Sequence, residues 1–216
     1  MKKIKVFIAD DHKILRESLV ILLAQHENIE VIGEAANGQE AYGKIMKLKP
    51  DIAILDISIP QLNGLDLAAK LKQETSYIKI IILTMHKNED LITRALCMGV
   101  EGYVLKDNAL EELIKCIETV YDNKIFLSHN FTQLIVDGFI KSRQNKNSLQ
   151  TEALSARERE ILQLLAEGKS NKAISIILNL SIKTVETHRA NIMRKMDFNN
   201  IVDLVLYAVR NHIIEP

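Results

Sequence analysis

Ile52-Ala53-Ile54-Leu55-Asp56 and Ile80-Ile81-Ile82-Leu83-Thr84 are two apolar runs that each end on a polar residue. Neither alternates, so neither suits a sheet with one wet face. A strand covered on both faces reads this way, and such strands belong to parallel sheets flanked by helices. Working outward, residues 4–9, 30–34 and 102–105 are further short runs rich in β-formers. Helical patterns lie between them, over 13–25, 38–48, 64–73, 89–98 and 108–121, with Gly99 placed to cap the fourth. Strands alternating with single helices are βαβ units. The first half is therefore expected to be a five-stranded, doubly wound parallel α/β sheet.

Polar groups stand where these strands end: Asp10 and Asp11 after the first, Asp56 after the third, Thr84 after the fourth, Lys106 after the fifth. Ligands of an open parallel sheet bind outside the carboxyl ends of its strands, near the point where strand order reverses. Adjacent carboxylates repel, and a hard cation with oxygen ligands relieves that repulsion. A carboxylate screened by a metal can accept a phosphoryl group. Thr84 offers a hydroxyl to a phosphate oxygen, and Lys106, expected at a solvated sheet edge, supplies a compact positive charge. Singly, Asp10 reads as a helix N-cap and Lys106 as a surface lysine. All five conforming together point to phosphoryl chemistry beside a divalent cation.

The 216 residues permit one large domain or two small ones. Lys+Arg and Asp+Glu balance at 28 each, but unevenly: residues 1–122 hold 15 basic and 19 acidic residues, 123–150 four and one, 151–216 nine and eight. An acidic sensor joined to an effector that touches a polyanion has this pattern. Cys97 and Cys116 lie in amphipathic helices with no metal or disulfide spacing, as small core hydrophobes of a reduced compartment would. The N-terminus turns acidic at Asp10, too early for a signal peptide. No apolar run approaches the ~18 residues of a membrane span. A cytoplasmic protein without membrane contact is expected.

Past Val120 the alternation stops. Residues 123–150 read as a linker, admitting a short helix near 130–140 before a polar stretch from Lys141 to Ser148. From residue 151 to 216 four short helices remain. Ser155 and Glu158 form a capping box, and Gly168 closes that first helix. Ser170 caps a second helix to about Leu178, Ser181 a third to about Met196, and Asn199 or Asn200 a fourth. The second and third, joined through Asn179 and Leu180, make a helix-turn-helix.

On the third helix, Ile182, Val185, Ile192 and Met196 share one face and would anchor it. Lys183, Glu186, Thr187 and Ala190 share an outward face, slim enough for the ~12 Å major groove. Lys172, Thr184, His188, Arg189, Arg194 and Lys195 are placed to reach phosphates. Each alone is ordinary helix solubility; clustered on two adjacent helices they favour double-stranded DNA. The last helix carries two apolar stripes, Ile201, Leu204, Val205 and Ala208 on one and Val202, Leu206 and Val209 on the other. One must bury within the domain; the other is expected to pack on a second copy, the alternative being a helix buried on both sides within one chain.

Phe7-Ile8-Ala9-Asp10-Asp11-His12, Ile54-Leu55-Asp56-Ile57-Ser58-Ile59-Pro60-Gln61-Leu62-Asn63-Gly64, Leu83-Thr84-Met85 and Gly102-Tyr103-Val104-Leu105-Lys106 resemble a bacterial response-regulator receiver domain over residues 1–122. The resemblance implies a flavodoxin-like fold in which Asp56 takes a phosphoryl group from a phosphohistidine on a sensor histidine kinase. It implies Mg²⁺ held by Asp11, Asp56 and the backbone carbonyl of Ser58, with Asp10 supporting. It implies Thr84 and Tyr103 as a switch pair, the threonine moving toward the phosphate and the tyrosine turning inward. Receivers commonly carry proline after the lysine, where Asp107 stands here. In that family the positions of Ser58 and His86 tune the lifetime of the phosphorylated state; His86 reads either as orienting a hydrolytic water or as an exposed loop histidine.

Leu154–Leu162, Gly168–Ile174 and Thr184–Met196 resemble the four-helix DNA-binding domain of LuxR-type regulators. Joined to a receiver, this is the arrangement of NarL/FixJ-like transcription factors. It implies base reading by Glu186, Thr187 and Ala190 and a homodimer when phosphorylated or DNA-bound. A receiver of this kind loses its own phosphoryl group slowly and is not a turnover enzyme. Two competitors stand beside it. A Mg-dependent aspartyl-phosphate hydrolase would want a second acid two residues past the nucleophile, where Ser58 stands. A nucleotide- or flavin-binding module would want a phosphate loop after the first strand, where Asp10 and Asp11 would repel one.

Overall fold

The computed structural model describes residues 3–85, 88–128, 131 and 154–215. His86, most of the linker and its expected short helix lie outside the described residues. Strands β1 (Ile4–Ala9), β2 (Ile29–Ala35), β3 (Ile52–Asp56), β4 (Lys79–Thr84), β5 (Gly102–Leu105) and β6 (Phe126–Leu127) form one sheet in the order β2-β1-β3-β4-β5-β6. Every pairing is parallel. Helices α1 (Lys13–Ala24), α2 (Gly38–Leu48), α3 (Gly64–Glu74), α4 (Glu89–Cys97) and α5 (Ala109–Tyr121) are the crossovers.

The uniform apolar strands behave as two interleaved sets. Ala53, Leu55, Ile80 and Ile82 join the core under α2, α3 and α4, while Ile52, Ile54, Ile81 and Leu83 join the one under α1 and α5. Each successive side chain meets the opposite helical layer, so neither face tolerates a polar residue until the strand ends. The sheet has six strands where five are expected. β6 pairs Gly102 with Phe126 and Tyr103 with Leu127. A two-residue strand is too short to show any period, yet it satisfies the outer edge of β5.

Strand order reverses between β1 and β3. Their register pairs Ala9 with Leu55. One step further along both strands places Asp10 beside Asp56 at the switch point.

The second domain is α6 (Ala156–Ala166), α7 (Asn171–Ile177), α8 (Ile182–Lys195) and α9 (Ile201–Arg210). Each helix starts on the anticipated cap, Ser155, Ser170, Ser181 and Asn200 in turn, the first and last as full capping boxes. Ile161, Leu164, Ile174, Val185, Ile192, Leu204 and Ala208 fill its core. Ile182 does not join them. It is 45% exposed, because in the first turn of α8 its side chain precedes the point where that helix meets α6 and α7. The two domains meet where α6 lies on the β3–α3 loop.

Candidate phosphoryl and DNA-binding sites

Asp10 and Asp56 are buried at the C-terminal ends of β1 and β3, and Lys106 bridges them, its Nζ 2.9 Å from an oxygen of each. The lysine side chain is only 5% exposed, so the expected solvated edge position is corrected. It leaves β5 at a 3₁₀ turn, Lys106–Asn108, that contains Asp107, and the described peptide bonds are all trans. Two carboxylates from strands inside the sheet draw the ammonium inward. Burial would lower the pKa of Lys106, but Asp56 and Asp10 outweigh it and hold that pKa above the ordinary lysine value.

Asp56 is pushed the other way. Burial raises its carboxyl to about 6; Lys106 and the backbone hydrogen bond from Ser58 oppose the rise and Asp10 adds to it. The second Asp10 oxygen accepts the His12 N–H at 2.8 Å. Asp11 faces solvent, with His12 Nδ1 2.9 Å from its carboxylate. Ligand atoms of Asp10, Asp11, His12 and Asp56 all lie within 4.8 Å of one another. Three carboxylates that close, one of them raised in pKa, fit a hard divalent cation with oxygen ligands.

The loop below Asp56 is held tight by Gly64, whose N–H donates to Ile57 O at 2.9 Å. A Cβ there would sit 2.1 Å from Asp56 O, so no other residue fits. Thr84 and Tyr103 are both buried on neighbouring strands. Burial pushes the Tyr103 phenol well above its ordinary value, with the Thr84 hydroxyl acting against the rise. The Tyr103 ring meets the edge of Phe131 at 4.8 Å and 89°, which holds the tyrosine inward.

Arg16 is a residue that sequence reading misses. From α1 it donates to Asp10 O at 2.6 Å and pairs with Glu34 at 3.2 Å, fixing the backbone between the two acidic residues. One arginine in an amphipathic helix carries no signal of that role.

In the second domain Lys183, Glu186, Thr187, Ala190 and Arg194 of α8 and Lys172 of α7 are exposed. Thr184, His188 and Arg189 are half-buried beside them, and Thr184 Oγ1 lies 2.8 Å from Ser181 Oγ at the helix start. Lys195 is turned away, its Nζ 2.9 Å from the buried Glu158. On α9 Leu204 and Ala208 are core, while Val202 and Leu206 are 58% and 46% exposed. Among the described residues no helix is long and apolar enough to cross a membrane.

A parallel sheet with an acidic, lysine-bridged switch point, followed by a capped helix-turn-helix, defines a response regulator with a DNA-binding output. Residues 6–118 match the response regulator receiver domain family, and residues 152–208 match the LuxR family of bacterial regulatory proteins. The chain belongs to the response regulators that join these two domains. The oxygen regulatory protein NreC of Staphylococcus epidermidis is 37% identical over 216 residues, covering 98% of this chain and 99% of that protein. A solved structure of the RcsB response regulator of Salmonella typhimurium is 29% identical, with a TM-score of 0.59, and covers 97% of this chain and 100% of that one. A structure of an RcsB–DNA complex is 29% identical with a TM-score of 0.60, covering 95% and 98%.

Proposed function

We propose that this protein is a cytoplasmic, phosphorylation-switched transcription regulator whose acceptor is Asp56. The observation that carries this reading is Lys106 between Asp10 and Asp56, 2.9 Å from each. A sensor histidine kinase supplies the phosphoryl group: an Asp56 oxygen forms a bond to phosphorus as the phosphorus–nitrogen bond of a phosphohistidine breaks, and the imidazole leaves with the electron pair. Asp11, Asp56 and the carbonyl of Ser58 would hold Mg²⁺, with Asp10 supporting. When bound, that ion screens charge on the transferring oxygens. Lys106 releases Asp10 or Asp56 to meet a phosphoryl oxygen, and Thr84 turns its hydroxyl toward the same group, with Tyr103 already packed inward against Phe131. Slow loss of the group to water resets the switch without making the protein a turnover enzyme. Ser58 in place of a second acid disfavours a hydrolase.

The domains of this reading are a receiver over residues 1–122, a linker over 123–150 and a DNA-binding domain over 151–216. Glu186, Thr187 and Ala190, with Lys183 beside them, face the base edges of double-stranded DNA. Lys172, Thr184, His188, Arg189 and Arg194 meet phosphates, with Lys195 behind them in its pair with Glu158. Val202 and Leu206 form the seam of a homodimer. Acetyl phosphate with Mg²⁺, followed by intact mass, tests the acceptor: the wild type should gain a single phosphoryl group and Asp56→Asn none. Equal labelling of the variant would remove Asp56 from the role.

A further inference from the structure

Ile182 shares its expected face with Val185 and Ile192, yet those two are fully buried and Ile182 is 45% exposed. The core of the domain closes on Ile161, Ile174, Val185 and Ile192 without it. It follows the Ser181 cap directly, and the Ser181 side chain accepts the Thr184 N–H at 3.0 Å, so the first turn of α8 is fixed. A β-branched side chain in a helix keeps one favoured rotamer. Ile182 is thus an apolar group held in water at a defined place, with no packing role to account for it.

Its neighbours are the groups assigned to DNA. Side chains four apart on a helix adjoin, so Ile182, Glu186 and Ala190 form one row, all three exposed. Helical Cβ atoms tilt toward the N-terminus, and Ile182 therefore projects past the start of α8. That is the end of a recognition helix whose residues contact base edges. Lys183 adjoins it and Lys172 lies on α7, both exposed and opposite in charge to a phosphate backbone. The isoleucine side chain has no hydrogen-bonding group. Of the groups on the base edges of the major groove, it is complementary to the C5 methyl of thymine.

We propose that Ile182 is a specificity-determining residue that packs on a thymine methyl, so that each half-site favours thymine at one fixed position. This rests on α8 entering the major groove of double-stranded DNA. The position follows from the row. Cβ atoms four residues apart are separated by about 6 Å and successive base pairs by about 3.4 Å. The thymine therefore lies one or two base pairs from the pair that Glu186 governs. Glu186 selects through a hydrogen bond, Ile182 through apolar contact alone.

The test uses the full-length chain with acetyl phosphate and Mg²⁺, and a duplex enriched from a random pool. Each thymine is replaced in turn by deoxyuridine, which removes the methyl and keeps every hydrogen-bonding group. Wild type should lose affinity roughly fourfold at one thymine per half-site, the scale of one buried carbon. That thymine should fall within about two base pairs of the position whose preference changes in Glu186→Ala. Ile182→Ala should bind the thymine and deoxyuridine duplexes equally, and Ile182→Val should keep most of the difference. Ile176→Ala trims another isoleucine of this domain, 72% exposed, and should keep the wild-type dependence. Deoxyuridine tolerated at every thymine overturns the proposal. So does an Ile182→Ala chain that weakens on all duplexes alike with its deoxyuridine penalties intact, which would place the side chain on the backbone. Loss of the methyl dependence in Ile176→Ala as well overturns it too. In each of these cases a preference profile altered by Glu186→Ala still upholds α8 in the groove. Failure of any duplex to enrich removes that reading and the role of Ile182 together.

Discussion

Lys106 Nζ lies 2.9 Å from Asp56 Oδ2 with both side chains almost wholly out of water. Because Asp10 lies equally close, the lysine is a structural counter-ion as well as a candidate phosphoryl contact. Removing one member of a buried ion pair strands the other and costs about 3–5 kcal/mol. Lys106→Ala should therefore lower the urea midpoint in chelator-treated buffer, and Mg²⁺ should restore part of the loss by screening the two carboxylates. A midpoint unchanged without metal would contradict the buried bridge.

The raised Asp56 carboxyl makes a second prediction, in metal-free buffer. The folded chain binds this proton more tightly than the unfolded chain does, since burial moves the group from 3.8 to about 6. Its contribution to stability is complete below the lower value and is lost as pH rises through the upper one. Asp56→Asn cannot ionise and should be more stable than wild type at pH 8, by on the order of 2–3 kcal/mol. That advantage should shrink on acidification and vanish near the unfolded carboxylate value. Unfolding curves at several pH values that show a constant gap would contradict it.

How much of this was legible follows from what each residue needs. Ile80-Ile81-Ile82-Leu83 betrays a strand covered on both faces because no polar side chain interrupts it, and Asp10, Asp56, Thr84 and Lys106 mark the site because strand ends are where polar groups become tolerable. Caps such as Ser155 with Glu158 are local and readable. The burial of Lys106 was not, since it depends on carboxylates from two other strands. Nor was β6, whose two residues gain meaning only beside β5. Gln163 is one glutamine in an amphipathic helix until the loop it clamps is folded beneath it.

Two neighbouring basic residues of α8 should part company. Arg194 is exposed and Lys195 is bound to buried Glu158 at 2.9 Å. Arg194→Ala, like Lys172→Ala, should weaken binding about equally on specific and random duplexes and flatten the salt dependence by ~1 unit. Lys195→Ala should instead act on thermal stability, because it leaves a carboxylate buried without its partner. A large salt-slope change for Lys195→Ala with unaltered melting would reverse the assignment.

Glu186 and Thr187 should govern which sequences are preferred. Both are exposed on the outward face of α8, and a glutamate can accept a hydrogen bond from cytosine N4. Glu186→Ala should relax discrimination at one base pair by about 1–3 kcal/mol while leaving non-specific affinity nearly level or slightly higher. Selection from a random duplex pool gives the preference profile directly. An identical profile for wild type and variant would turn this helix face away from the groove.

Leu204 and Leu206 carry the assembly question, two positions apart on α9 yet on opposite sides of it. Leu204 is fully buried and Leu206 is 46% exposed beside Val202. Burying a leucine side chain is worth roughly 1.5–3 kcal/mol, enough for one polar change to split a weak dimer. Leu206→Glu should leave a folded protein, by circular dichroism and melting, that binds single half-sites normally and paired sites poorly. Leu204→Glu puts a carboxylate into the core with Ile161 and Ala208 and should unfold the C-terminal domain. If the outer stripe is the seam, recognition helices related by a two-fold axis read inverted half-sites about one helical turn apart. Undiminished binding of Leu206→Glu to paired sites would rule out this stripe as the seam and send the search for the dimer contact to the receiver.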